Sequence, residues 1–171
     1  AKSGIFVSTD KACVPKNSYG ISKLAAERAW LWANDHQTVP MGCTRYGNVF
    51  GSRGSVIETW HTRALKNQPL PLTDQAMTRF FITLTQAAQF VLHHLFKNQS
   101  RVLAPLMKST NMMDLGRAIK DNAKFDIIGI RPGEKLHEQI LEDGLDSLHT
   151  EKFTKKELQQ MYREWQFEDR M

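Results

Sequence analysis

The 171-residue sequence predicts an α/β fold. Short apolar runs of strand length alternate with longer stretches at helical spacing, and two of those stretches open on capping-box patterns. No internal repeat, low-complexity segment or dividing linker interrupts the alternation. Alternation of this kind packs helices against a sheet.

In chain order, Ile5 to Ser8 reads as a short buried strand ending in a polar cluster, Ser8-Thr9-Asp10-Lys11. Pro15 and Asn17 mark a loop, and Asn17 or Ser18 can cap a helix running to about Asn34. Leu24, Ala25, the stem of Arg28, Ala29 and Trp32 form an apolar stripe on that helix. Met41 to Tyr46 is the next strand, followed by a Gly-rich loop over 47–54 and a weakly signalled helix from Val56 to Asn67. Thr83 with Gln86 opens a helix with Leu84, Ala87, Ala88, Val91 and Leu95 on one face. Val102 to Ala104 reads as a short strand, Met112 to Ala123 as a helix and Phe125 to Gly129 as a strand. Glu134 to Glu142 reads as helical, with Gly144 just past its end. A last helix opens on Thr154 and Glu157 and turns Leu158, Met161 and Trp165 to the core.

Composition narrows the classes of function. The net charge is +5, but residues 1–70 carry nine basic and four acidic side chains, 71–130 seven and four, and 131–171 seven and ten. No run of like charges marks a nucleic-acid surface. Isolated arginines in Gly-containing loops suit small phosphorylated ligands instead. No stretch approaches ~18 uninterrupted apolar residues, so no membrane span is expected. Cys13 and Cys43 match no metal or redox motif and read as free thiols of a reducing, cytoplasmic compartment. The six histidines show no ligand spacing, so no metal site is expected. Trp30 with Trp32, and Trp165 with Phe167, read as packing residues rather than base-stacking platforms.

The residues that suggest chemistry are few. Tyr19 and Lys23 are four apart, so on a helix they share one face one turn apart. A Lys ammonium beside a phenol stabilises the phenolate, which can take a proton from a hydroxyl while hydride leaves the same carbon. Alone, this spacing describes an ordinary surface pair. Asp10-Lys11 at a strand end pairs an acid with a base, although alone it describes a solvated turn. Arg53 lies between Gly51 and Gly54, whose flexibility lets backbone N–H groups approach an anion. Arg131 precedes Pro132-Gly133 at an expected helix start, where the dipole also favours anions.

The blocks around these residues resemble a known family. They are Val7-Ser8-Thr9-Asp10-Lys11-Ala12 with Pro15, Asn17, Tyr19, Gly20, Ser22, Lys23 and Glu27; Arg45 to Val49; Gly51 to Ile57; Met77-Thr78-Arg79-Phe80; and Gly129 to Glu138. In this order and spacing they resemble the extended short-chain dehydrogenase/reductases, and more narrowly the inverting UDP-N-acetylglucosamine 4,6-dehydratases. The resemblance covers about residues 4–142. It implies the C-terminal portion of a Rossmann-type fold. Residues 1–55 would form the last strands and active-site helix, and 56–171 mainly the substrate-binding subdomain, with about 76–97 packing back on the Rossmann part.

By resemblance, Tyr19 acts on the C4 hydroxyl of a UDP-sugar while Lys23 holds the nicotinamide ribose. Asp10 protonates the departing C6 hydroxyl, and Lys11 serves proton transfer at C5. Thr9, Tyr19, Lys23 and Tyr46 are the cofactor-binding candidates. Asn48, Arg53, Ser55, Arg79, Arg131 and Glu134 are the substrate-binding ones. The implied cofactor is NADP, with NAD as the alternative. A nucleotide-sugar 4-epimerase shares Tyr19, Lys23 and the fold, but needs no acid–base pair for loss of the C6 hydroxyl. A catalytically silent module is the rival from another class.

The family binds its dinucleotide with a Gly-rich turn after the first strand. No three glycines of this chain have that spacing. At ~30 residues per βα repeat, roughly 120 residues of the expected fold lie upstream. A fragment, one part of a split protein and a truncated relative therefore stay open. So do two protein partners, a second copy of the chain and a complementing N-terminal half. Glu58 where the family has Pro, and Ala104-Pro105-Leu106 for Val-Pro-Lys, depart from the pattern and leave the sugar open.

Overall fold

A computed structural model describes residues 2–36, 39–95, 97 and 101–168. The chain runs β1 (Gly4–Val7), a 3-10 turn (Asp10–Ala12), α1 (Ser18–Asp35), β2 (Met41–Thr44), β3 (Asn48–Val49), α2 (Val56–Leu65) and β4 (Leu70–Leu72). It continues with β5 (Thr78–Ile82), α3 (Leu84–Leu95), β6 (Val102–Leu103), β7 (Ser109–Asn111), α4 (Met112–Ile119), β8 (Phe125–Ile127) and α5 (Lys155–Glu168). The alternation of strands and helices is the expected α/β pattern.

One sheet is wholly parallel, in the order β1-β2-β6, with Gly4 opposite Met41 and Val7 opposite Thr44. Parallel neighbours need a crossover, and α1 supplies it between β1 and β2. Helix α3 packs on β1 and β2. A second sheet runs β3-β5-β7, with β5 parallel to β3 and antiparallel to β7, and β4 pairs with β8. The larger core gathers Phe50, Ile57, Trp60, Leu70, Leu115, Leu158 and Trp165, joining the Gly-rich loop to α2, α4 and α5. A smaller one joins Phe80 and Ile82 to Met107 and Ile140.

Capping chemistry sets the helix starts as the sequence implies. The Asn17 side chain accepts from the Gly20 N–H and begins α1. Thr83 and Gln86 exchange backbone-to-side-chain bonds of 3.0 and 3.1 Å. Thr154 and Glu157 do the same before α5, and those bonds together with Lys108 pull the Glu157 carboxyl down to about 2.

Several expectations are corrected. The apolar stripe on α1 faces outward: Ala25, Arg28, Ala29 and Trp32 are exposed, while Glu27 is buried on the sheet side. The reason is electrostatic, because Arg45 of the segment after β2 fixes Glu27 inward. Leu84 and Ala88 of α3 are exposed as well, and Ala87 is its buried residue. Trp30 packs by Phe6 and donates to the Gly42 carbonyl, and Trp165 is core, but Trp32 and Phe167 are exposed. The 112–123 helix stops at Ile119, and the 125–129 strand stops at Ile127.

The expected helix over 134–142 is absent, and no regular element replaces it. Its carbonyls are taken by donors from elsewhere. Arg79 donates to Lys135 O and Leu136 O, the Thr78 N–H donates to Leu136 O, and Ser147 N–H donates to Glu138 O. Arg45 donates to Ile140 O. A carbonyl held this way is drawn from the i+4 bond that a helix needs.

Candidate active site

The carboxyl ends of β1 and β2 build one wall of the site, the usual place for ligands in an open parallel sheet. Backbone bonds from Ser8 N to Thr44 O (2.7 Å) and from Asp10 N to Tyr46 O (3.1 Å) carry the pairing past the strands. The chain then tightens into the 3-10 turn, capped by Thr9. This turn stacks on the start of α1 at Gly20, where an added Cβ would lie 2.4 Å from the Lys11 carbonyl oxygen. Glycine there lets the Tyr19 turn and the Lys11 turn touch.

Lys11 is the centre of the arrangement. Its ammonium donates to Asp10 Oδ1 (2.8 Å) and to Asn48 Oδ1 (3.1 Å), with Glu138 Oε1 at 3.9 Å. Lys11 is one-third exposed, whereas Asp10 is fully buried behind it. Asp10 Oδ1 also accepts the Thr9 hydroxyl at 2.8 Å, and its Oδ2 is buried without a hydrogen-bond partner among the described residues.

A cavity of about 320 Å³ opens in front of Lys11. Lys11, Lys16, Arg79, Arg131 and Lys135 line it with Asn17, Asn48, Pro132, Gly133 and two carboxylates, Glu134 and Glu138. The excess of cations suits an anion. Lys135 is engaged by Glu138 (3.3 Å) and the Cys13 carbonyl (2.6 Å). Arg79 is engaged by three carbonyls and lies 3.6 Å from Glu134. Lys16 and Arg131 form no ion pair among the described residues, so they are the cations left for a ligand.

The Arg131 loop is held against α1. Asn17 Nδ2 donates to Gly133 O (3.0 Å), and a Cβ on Gly133, at φ +79°, would meet Asn17 at 2.9 Å. Below it, Arg45 forms a buried fork with Glu27 (2.8 and 2.6 Å) and reaches Glu142 at 3.1 Å. Burial alone would lower the Arg45 guanidinium, but Glu27 and Glu142 outweigh it and hold it above its ordinary value. Burial pushes Cys13 up to about 11 and Cys43 up to about 12, so both thiols are inert rather than nucleophilic.

The predicted residues separate into groups. Lys11, Asn48, Arg79, Arg131 and Glu134 share the cavity, with Asp10 and Thr9 directly behind. Arg79 serves the loop more than the void, and Glu134 closes the turn by accepting from the Arg131 N–H at 3.4 Å. Tyr19 and Lys23 stand outside the cavity on α1, with the Lys23 Nζ 5.6 Å from the Phe6 ring centroid and 6.0 Å from that of Tyr19. Tyr19 is half exposed. Tyr46 is half-buried beside the Phe80 cluster, and burial raises its phenol. Arg53 is exposed, and neither it nor Ser55 lines this cavity. Sequence reasoning assigned no role to Lys16, Lys135 or Glu138. The last two lie inside the Gly129–Glu138 block, but their meeting with Lys11 depends on an irregular segment.

The family described as polysaccharide biosynthesis protein matches residues 1–163. The chain belongs to that family. It is 41% identical to an inverting UDP-N-acetylglucosamine 4,6-dehydratase of Campylobacter jejuni over 145 residues, which are 82% of this chain and 43% of the relative. The chain thus spans less than half the length of that relative. The X-ray structure of Pen from Bacillus thuringiensis superposes with a TM-score of 0.84 at 27% identity, over 97% of this chain and 63% of that one. UDP-glucuronic acid 4-epimerase from Bacillus cereus, solved with UDP-glucuronic acid and NAD, superposes with a TM-score of 0.75 at 17% identity, over 95% and 61%. The chain shares the Rossmann-type α/β fold of such epimerase and dehydratase structures over about 60% of their length.

Proposed function

We propose that the chain carries the proton-transfer centre and sugar-nucleotide site of a C5-inverting UDP-N-acetylglucosamine 4,6-dehydratase serving surface polysaccharide or glycan precursor synthesis. The observation that carries this reading is Lys11, held between Asp10 and Asn48 at the mouth of a cation-lined cavity. Likeness to the dehydratase of Campylobacter jejuni supports it. An epimerase has no elimination for such a pair to perform.

A nicotinamide cofactor suits the residues present at one end only. Tyr19 and Lys23 stand together on α1, with Lys23 also near Phe6 of β1, and would hold the nicotinamide ribose, with Thr9 and Tyr46, which follow β1 and β2, as the further candidates. No Gly-rich turn for the pyrophosphate occurs in these residues. When bound, the dinucleotide supplies the acceptor for the C4 hydride and its later return to C6. NADP is the reading carried from the family, with NAD as the alternative.

The chain's own residues perform the rest. Tyr19 would take the C4 hydroxyl proton while the C4 hydride leaves, and the two losses together give a 4-keto sugar whose C5–H is acidified. Asp10 and Lys11 share one proton along their 2.8 Å hydrogen bond. With that proton on Asp10, the Lys11 amine accepts the C5 proton. The pair, now holding two, returns one to the C6 oxygen as water leaves. Asp10 is closed off from the cavity, so Lys11 makes the contact and Asp10 stores the proton behind it. C5 is then reprotonated on its opposite face by a proton from solvent, and Tyr19 releases the C4 hydroxyl proton to solvent, which closes the balance. Arg131 and Lys16 hold the diphosphate, and Asn48 orients Lys11.

The test is product analysis by NMR after UDP-N-acetylglucosamine meets the longest open reading frame that contains these residues. A 4-keto-6-deoxy sugar with inverted C5 is expected. A C4 epimer retaining its 6-hydroxyl would replace this reading with the epimerase.

A further inference from the structure

Glu138 has no part in the chemistry above, yet it is among the most carefully held groups in the molecule. Its side chain is 5% exposed, with Oε1 3.9 Å from Lys11 Nζ and 4.0 Å from Arg79 Nε. Oε2 lies 3.3 Å from Lys135 Nζ but is buried with no hydrogen-bond partner. Its backbone is pinned on both sides by Ser147, whose Oγ accepts from Glu138 N at 2.8 Å and whose N–H donates to Glu138 O at 2.7 Å. Ser147 is itself fully buried and bonded to Thr78 at 2.6 Å.

Desolvating a carboxylate this far is costly unless cations balance it, and three converge on it: Lys11, Arg79 and Lys135. All three line the cavity, but Arg79 is held by three backbone carbonyls and Lys135 by the Cys13 carbonyl, whereas Lys11 is held by side chains alone. Its ammonium has three hydrogens, of which Asp10 and Asn48 take two. Glu138 Oε1, at 3.9 Å, is a second carboxylate within reach of the Lys11 charge.

We propose that Glu138 is a positioning residue for Lys11, its carboxylate adding a second attraction to that of Asp10 so that Nζ stays at the cavity. Glu138 Oε2 is buried, and Oε1 stands at the cavity edge within ion-pair reach of Lys11, so the carboxylate acts on the charge of Lys11. The inference rests on the dehydratase reading. It goes beyond it by assigning the C5 step a second carboxylate, supplied by the irregular 134–142 segment.

The test uses the same reading frame with UDP-N-acetylglucosamine in D2O. C4 oxidation is followed by reduced-nicotinamide absorbance in a single turnover, and C5 exchange by deuterium in the sugar. Glu138→Gln keeps the shape and removes the charge. It should slow C5 exchange by about tenfold while KM and C4 oxidation stay within about twofold, and Glu138→Asp should recover part of the exchange. Unchanged exchange in Glu138→Gln would overturn the proposal. So would a parallel fall in exchange and C4 oxidation, the mark of a merely structural role. If Glu138→Gln does not fold, Glu138→Asp alone decides: selective loss of C5 exchange supports the proposal, and no selective loss overturns it. C4 oxidation without C5 exchange in the parent enzyme would remove the dehydratase reading and this proposal with it.

Discussion

The two walls of the cavity are built by different means. The wall over residues 8–23 is local: a strand end, a 3-10 turn capped by Thr9, and a helix capped by Asn17. The wall over 131–142 has no regular structure and is shaped by side chains from distant segments, Arg79, Ser147 and Arg45. The first wall carries Lys11 on elements whose starts are set by neighbours in sequence, whereas the second places Lys135, Leu136 and Glu138 only through bonds from distant segments.

The comparison breaks most severely at Arg45, the residue joining the two walls. Its guanidinium and Glu27 are each 1% exposed. Arg45→Leu strands a buried carboxylate and should cost about 3–5 kcal/mol in chemical denaturation. Adding Glu27→Leu should restore much of that loss, since a packed apolar pair avoids the desolvation. A single replacement costing under about 1 kcal/mol would show that the fork is not needed.

A smaller effect sharpens the contrast. Ser147→Ala leaves the buried Glu138 N–H without its acceptor and should cost about 2 kcal/mol. Thr154→Ala removes an exposed local cap and should cost about 1 kcal/mol. Thermal melts of the two variants check the order. Equal losses would mean that the irregular wall depends on tertiary bonds no more than a helix end depends on its cap.

The same difference decides what was legible. Asn17, Thr83 and Thr154 announce their helices because a cap acts within four residues, and the α/β alternation follows from periodicity. The strand over Thr78–Ile82 was hidden because its residues read as a functional block, and Ser109–Asn111 because a three-residue polar strand has no pattern. The stripe on α1 misled, since an apolar face is expected inside and here Glu27 takes that place to meet Arg45. In the site, Asp10, Lys11, Asn48 and Arg131 were legible as motif residues and share one region. Lys135 and Glu138 were not, because their meeting with Lys11 is fixed by bonds across more than a hundred residues of chain, such as that of Lys135 to Cys13. Lys16 was not because a single exposed lysine beside Pro15 carries no pattern of its own.

In the proposed reaction the Asp10–Lys11 pair carries the elimination and not the oxidation. Lys11→Met in the reading frame that contains this chain separates the two steps. With UDP-N-acetylglucosamine in D2O, the account predicts reduced nicotinamide without deuterium at C5 and without 6-deoxy product. A 4-keto-6-deoxy sugar formed at the parental rate would contradict it.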